Sequence, residues 1–394
     1  MIEGRNIICI ASNWFYDPTS KHHVMRTLAE RNHVIWVNHH GSRRPRASAA
    51  DARAAMGKLR QIVQGPRRVG DNVTVVTPLV IPAPGSSAVR SLNRRLLVRQ
   101  VSGVLRTLPR RPVQLWTFAP DVDYLCGQFG EECLVYYCVD DFAEFSGYDR
   151  AAILAAEARL AARADLVLVT SEALLESRRS ANPRVHLMTH GVDYQHFAQA
   201  TLPETPTAAE LSSLPRPILG FWGLLQDWVD LDLIAAVGRA RPTWSIVLIG
   251  EAATNLSSLV ALRNVHCLGR RSYAELPAFA KGFDVGLIPF RVSRLTQAVN
   301  PIKLREYLAA GLPVVSTPLP EVRRYSPWVM IARDAAEFIA ACEQAANWRG
   351  SAEIAAAQAA MRRETWPEKV EMISELIEET LRARNAFRPH QPVT

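Results

Sequence analysis

The sequence predicts an α/β protein built from two doubly wound parallel-sheet domains, and three observations carry that reading. The chain has 394 residues, more than one ordinary core accommodates and suited to two domains of roughly 150–200 residues each. Short apolar runs alternate with stretches of helical length, the βα alternation that builds a parallel sheet. That alternation breaks off once, in the Pro/Thr/Ala-rich segment ATLPETPTAAELSSLPRP at 200–217, and then restarts.

In the first half the strand-like runs are NIICIAS, HVIWVN, VTVVTPLV, VQLWTF, LVYYCV, DLVLVT and RVHLMTH, with helices expected at 21–31, 88–107 and 150–164. Ser20 is placed to cap the first of these helices. The interrupting segment carries turn residues and reads as a linker at 199–217. Beyond it come ILGFWG, a helix at 230–240, WSIVLIG, a short NVHCLG strand, a helix at 274–281, VGLIPF, a helix at 302–310, PVVST, and helices from about 334 onward. The closing PEKVEMISELIEETLRAR has apolar residues at 370, 373, 376, 377 and 381, a narrow stripe on a charged helix that needs a surface to lie on. The expected divisions are therefore 1–198, 199–217, 218–365 and a terminal helix at 366–388. In open α/β sheets ligands bind outside the carboxyl ends of the strands, so the chemistry is expected in a cleft between the two domains.

With 48% apolar and 21% charged residues the composition is that of a globular protein. Every apolar run falls short of the ~18–20 residues that a membrane span needs. The N-terminal MIEGRNIICIASNWF lacks a small-residue cleavage site and reads as a first core strand, which predicts a cytoplasmic location. Six Cys, at 9, 126, 133, 138, 267 and 342, lie outside any C-x-x-C or Cys/His spacing, so reduced structural thiols are expected and no metal. The pairs His22-His23 and His39-His40 do not have metal-ligand spacing, and neither G-x-G-x-x-G nor a Walker A loop is present, against dinucleotide oxidoreductase and NTPase readings.

The net charge of +8 is concentrated. Between Arg43 and Arg111 stand 15 Lys and Arg against Asp51 and Asp71, which is +13, so the remainder is −5. Such a patch attracts phosphate-rich partners, nucleic acid or an anionic membrane face, and it equally fits a solvated arginine-rich surface.

Chemistry concentrates in two stretches. In NPIKLREYLAAGLPVVSTPLPEV, Asn300 suits the N-cap, Pro301 the first helical position, and Gly311 the stop. The helix mouth presents N–H groups and a positive dipole end, and Lys303, disfavoured there by the dipole alone, suggests an anion to bind. Glu306 follows at i+3 on the same face, able to accept from sugar hydroxyls. A surface Lys–Glu pair explains the same spacing. In ECLVYYCVDDFAEFSGYD a strand ends in two adjacent carboxylates, Asp140 and Asp141. Either can serve as a general base for an attacking hydroxyl, or cap the helix that follows.

The pattern DVGLIPFRVSRLTQAVNPIKLREYLAAGLPVVSTPLPEV resembles the donor-site signature of GT-B glycosyltransferases, in particular the family 4-like (group 1) enzymes of bacterial exopolysaccharides and surface glycans. THGVDYQHF, GFWGLLQDWVDLDLI, LIGE, NVHCLGRRSYAELPAF and TWPEKVEMISELI join the match, which covers most of 130–380. The resemblance implies a nucleotide sugar, UDP- or GDP-linked, as substrate and no cofactor. It puts Glu306 on the donor ribose, Lys303 on its diphosphate, and backbone near Gly269 and Arg270 on the base. Where relatives carry a second Glu the chain has Ala298, and where many carry an Arg it has Leu224. Arg291, in the loop before the helix, is a candidate replacement charge or a solvated loop residue, and His190, at the expected hinge, a phosphate contact or a packed histidine.

LVYYCVDD is similar to the catalytic stretch of the xanthan-assembly glucuronosyltransferase, which makes Asp140 the base and leaves Asp141 a structural or acceptor-side role. Trp14, Lys21 and His22, after the first strand, are expected to line the acceptor site, or to anchor and solvate that loop. The first domain then becomes the acceptor domain, the second the donor domain, and the terminal helix a brace on the first. The arginine-rich stretches AADARAAMGKLRQIV and VRSLNRRLLVRQVSGVLRTL read as interfacial helices on an anionic membrane. The expected protein is a glycosyltransferase acting on a glycan or lipid-linked acceptor, peripherally bound at the cytoplasmic face of the inner membrane. Its rivals are a nucleotide-sugar 2-epimerase on the same fold and a polyanion-binding protein. The latter has no recognisable nucleic-acid reader module, so no nucleic-acid partner is expected.

Overall fold

The computed structural model describes residues 1–39, 57, 60–81 and 86–386. It divides into one unit formed by Met1–Thr189 with the C-terminal stretch from Pro367, and a second formed by His190–Trp366. Most of the basic stretch 49–63, expected as an interfacial helix, lies outside the described residues.

The first unit is built on strands β1 Asn6–Ala11, β2 His33–Asn38, β3 Arg67–Arg68, β4 Val73–Val76, β5 Val113–Thr117, β6 Cys133–Cys138, β7 Leu166–Val169 and β8 Val185–Leu187. Their order across the sheet is β3-β4-β2-β1-β5-β6-β7-β8. Only β3, two arginines too short and too polar to announce themselves, runs antiparallel to its neighbour. Both faces of β1, β2 and β6 are buried, which explains their continuous apolar runs. Order reverses between β1 and β5, the switch point where such sheets open toward ligands. The helix Trp366–Ala386 buries Val370, Ile373 and Ile377. It is tied to the first unit by an Arg384–Asp165 ion pair of 2.8 Å and by Lys369 Nζ donating to Thr189 Oγ1 at 3.0 Å.

The second unit has six parallel strands: β9 Ile218–Trp222, β10 Ser245–Ile249, β11 Val265–Gly269, β12 Val285–Ile288, β13 Val314–Ser316 and β14 Val329–Ile331. Their order is β11-β10-β9-β12-β13-β14, with the switch between β9 and β12. Residues 190–217 differ from expectation. They belong to this unit instead of ending the first domain and linking the two, because Phe197, Ala200, Ala208 and Leu211 are buried in its core. These four are too widely spaced among prolines and threonines to give a periodic signal. Among the described residues no helix is long and apolar enough to cross a membrane.

Candidate active site

In the second unit the pair Lys303 and Glu306 sits at the switch point. The helix Ile302–Ala309 follows β12, with Pro301 in the N-cap position and Gly311 turning the chain at φ +69°. Asn300 is therefore one residue too early to cap. Its Oδ1 accepts from Arg305 Nη1 at 2.6 Å and its Nδ2 donates to Glu321 Oε2 at 3.2 Å. Arg305, itself buried, donates on to Glu364 at 2.7 Å. Asn300 thus fixes the loop before the helix instead of capping it.

Lys303 leaves the first turn toward the carboxyl ends of β9 and β12. Its Nζ lies 5.3 Å from the ring centre of Phe221 and 5.0 Å from that of Phe290, the cation–π range. Beside it, Gly223 has φ +135°, and a Cβ there would lie 3.2 Å from both Cε and Nζ of Lys303. Glycine is what lets the ammonium approach the backbone. The same turn is locked from the other side, since a Cβ on Gly250 (φ +146°) would sit 1.9 Å from the Gly223 carbonyl oxygen.

One turn deeper, Glu306 is buried, and its Oε2 accepts from Trp222 Nε1 at 2.7 Å. Burial pushes this carboxyl above the usual range, the Trp222 hydrogen bond and the Lys303 charge pull it down, and Asp193 pushes it up. Trp222 and Asp193 carry no role in the sequence-based expectations, which contain them only as part of the stretches GFWGLLQDWVDLDLI and THGVDYQHF.

The other donor-side candidates are distributed less tightly. Gly269 closes β11 at φ +69°, its carbonyl accepting from Gly250 N at 2.9 Å, and Arg270 follows it, exposed. Arg291 donates to Asp232 at 3.0 Å, so its charge lies against the first turn of the helix Leu231–Ala240. His190 is buried, with its ring 6.0 Å from Trp366. Ala298 is buried and Leu224 is 42% exposed, neither supplying charge.

In the first unit Asp140 follows β6, and Cys138 Sγ donates to its carbonyl at 3.4 Å. Lys21, in the first turn of the helix Ser20–Ala29, lies within electrostatic reach of it: burial lowers the ammonium's pKa, and the Asp140 carboxylate and then Cys9 oppose that. The fold thus brings together two candidates far apart in sequence. Thr19, rather than Ser20, takes the N-cap of that helix. His22 has no outward face. Its ring stacks 4.8 Å from Trp36 and lies 5.6 Å from Trp14, its Nδ1 accepts from Thr19 N at 3.1 Å, and burial pushes its pKa down to about 3. It supports the loop that carries Trp14, which is half-buried with Arg26 5.2 Å over its ring.

Asp141 stands before the short turn Phe142–Glu144, but its side chain makes no cap bond. It accepts from Arg178 at 3.1 Å, and Arg178 also donates to the buried Glu157 at 2.9 Å, which in turn takes the Tyr136 hydroxyl at 2.7 Å. The only sequence trace of this network is a Glu on the inward face of an otherwise small-residue helix. Between β5 and β6, Asp121 meets His39 at 3.3 Å and Asp123 takes Arg90 and Arg159 at 2.9 and 2.8 Å. These carboxylates are structural partners. Among the described residues no group of three or more His, Cys, Asp or Glu has a metal-binding arrangement.

Comparison with known proteins bears on the family and the fold. The family description "Glycosyl transferases group 1" matches residues 216–347. TuaH of Bacillus subtilis (strain 168), a candidate teichuronic acid biosynthesis glycosyltransferase, is 30% identical over 256 residues, 60% of this chain and 64% of TuaH. The chain thus spans under two thirds of that relative's length. Among solved structures, sucrose-phosphate synthase from Thermosynechococcus elongatus superposes with TM-score 0.69 at 14% identity, over 96% of this chain and 100% of the other. Anabaena Alr3699/HepE in complex with UDP gives TM-score 0.63 at 15% identity over the same shares. At those identities the likeness speaks for the fold, two Rossmann-like units of the GT-B kind. Residues 216–347 of this chain thus match the group 1 glycosyl transferase family, and the chain as a whole has the GT-B fold.

Proposed function

We propose that the protein is a glycosyltransferase that moves a sugar from a nucleoside diphosphate donor to a glycan or lipid-linked acceptor in surface-polysaccharide biosynthesis. The observation that carries this reading is the pairing of Lys303 and Glu306 one turn apart, within the group 1 domain, beside the glycine turn that follows β9. In the proposed reaction the acceptor hydroxyl attacks the anomeric carbon and gives its proton to Asp140, while the bond to the donor diphosphate breaks and its electron pair leaves with the diphosphate. Lys303 and the N–H groups of its helix stabilise that leaving charge. Glu306 accepts from the ribose hydroxyls, and backbone near Gly269 and Arg270 meets the base. Arg291, already paired with Asp232, contributes little to the diphosphate. If configuration is retained, Asp140 is an acceptor ligand only. No metal is required in this scheme.

HepE's complex with UDP supports a nucleotide-linked donor, and TuaH's pathway supports a surface polymer as destination. Peripheral binding to the cytoplasmic membrane face rests on the basic region 43–111. Within it the helix Ser87–Leu105 carries Arg94, Arg95 and Arg99 besides the Asp123-paired Arg90, with Leu92 exposed. A thermal-shift panel of UDP-, GDP- and TDP-sugars tests the central claim, because a ligand bound to the folded state raises its apparent stability. A selective rise with one nucleotide class is expected, and a transition unmoved by every nucleotide sugar would refute the proposal.

A further inference from the structure

We infer that Trp222 is a positioning residue for donor binding: its indole N–H holds Oε2 of Glu306 and leaves Oε1 to meet the ribose hydroxyls. The inference rests on the proposed ribose role of Glu306 and assigns what makes that carboxylate usable.

A buried tryptophan needs one acceptor for its N–H, and a backbone carbonyl would serve. Here it is spent on a carboxylate, at 2.7 Å, in the short range of charge-assisted bonds. The indole is not free to turn away. Its ring centre lies 4.2 Å from that of Tyr307 and 5.8 Å from that of Phe197, with the latter two planes only 8° apart. Its main-chain N–H donates to the Tyr307 hydroxyl at 3.2 Å, so backbone and side chain of residue 222 are both anchored to the helix that bears Glu306. Strand β9 therefore sets where the carboxylate points, and the helix Ile302–Ala309 only how far it reaches.

The charge balance around Glu306 gives this arrangement a measurable signature. The ionisable groups facing it are Lys303 on its own helix, Asp193 ahead of the helix Tyr194–Ala198, and Tyr307. Of these Lys303 favours the carboxylate and Asp193 disfavours it, while burial disfavours it most; the Trp222 bond is the largest opposing effect. An acceptor for ribose hydroxyls must be ionised, so donor binding weakens as pH falls through the carboxyl's pKa. Removing the indole N–H raises that pKa, and the weakening must then begin at higher pH.

The test is calorimetric titration of the full chain with UDP and with GDP between pH 5 and 8.5, for wild type, Trp222→Phe, Trp222→Tyr and Glu306→Gln, with melting curves to confirm folding. The tyrosine variant keeps more volume should phenylalanine loosen the core. Expected is an upward move of the pH midpoint of binding by about one unit in Trp222→Phe, that is, about tenfold weaker binding below the midpoint, with convergence on wild type at high pH, and a smaller move in Trp222→Tyr, whose hydroxyl can still donate to the carboxylate. Glu306→Gln should bind weakly at every pH and lose the pH dependence. Trp222 profiles that overlay wild type while Glu306→Gln binds weakly would overturn the role of Trp222 alone. Wild-type binding by Glu306→Gln would remove the ribose role, and this inference with it.

Discussion

Replacing Lys303 by alanine separates the diphosphate from the rest of the nucleotide. The ammonium is already restrained, with aromatic rings at 5.3 and 5.0 Å and the Gly223 backbone close enough that a Cβ there would touch it at 3.2 Å. Little side-chain entropy remains to be lost when a phosphate arrives, so the interaction approaches the full worth of a charge-assisted hydrogen bond, about 1.5–3 kcal/mol. Lys303→Ala should therefore weaken UDP or GDP binding by roughly tenfold to 150-fold and leave uridine or guanosine binding nearly unchanged. Raising the salt concentration should narrow the gap between wild type and variant, since the lost term is electrostatic. Lys303→Arg should rescue only in part, because a planar guanidinium is wider than the slot beside Gly223. Isothermal titration with nucleotide and nucleoside side by side reads all three outcomes. Equal loss of both would show that Lys303 shapes the pocket instead of holding phosphate, and would refute the reasoning.

Two further outcomes follow from the first unit. Asp140→Asn should abolish transfer in a donor-consumption assay while nucleotide binding stays at the wild-type level, and retained turnover would remove Asp140 from the base role. His22 makes the unit acid-sensitive. Its folded pKa is about 3 and its unfolded value near 6.5, so between these the unfolded chain takes a proton that the folded one refuses. Stability present above pH ~6.5 is lost as pH falls toward 3, at up to about 1.4 kcal/mol per unit. Denaturation curves at pH 7, 6 and 5 should show this loss in wild type and a smaller one in His22→Gln; parallel losses would contradict it.

The central strands were legible because both their faces are covered, so β1, β6, β9 and β12 appear as uninterrupted apolar runs. The edge strand β14 was not legible, since three residues, Val329–Ile331, leave no periodicity. Lys303 and Glu306 could be found because i, i+3 spacing on a short helix survives folding unchanged. Their supports could not. Trp222 reaches Glu306 across 84 positions of sequence, and Arg178 joins Asp141 and Glu157 from a third element. Nothing local marks such partners. Asn300 illustrates the opposite failure. Its capping chemistry was sound, but Pro301 took the position, and the amide was drawn into the Arg305–Glu364 network instead.

The contact between the turns after β9 and β10 has a bearing on how this domain can be altered. A Cβ on Gly250 would meet the Gly223 carbonyl oxygen at 1.9 Å and one on Gly223 would press on Lys303 at 3.2 Å, so neither turn takes a side chain without strain and the two turns are fixed against each other. The next residue along, Leu224, is exposed and free of that constraint. Redesign of this domain should therefore leave both glycines untouched and begin at Leu224, where an exposed position can take a larger or charged side chain.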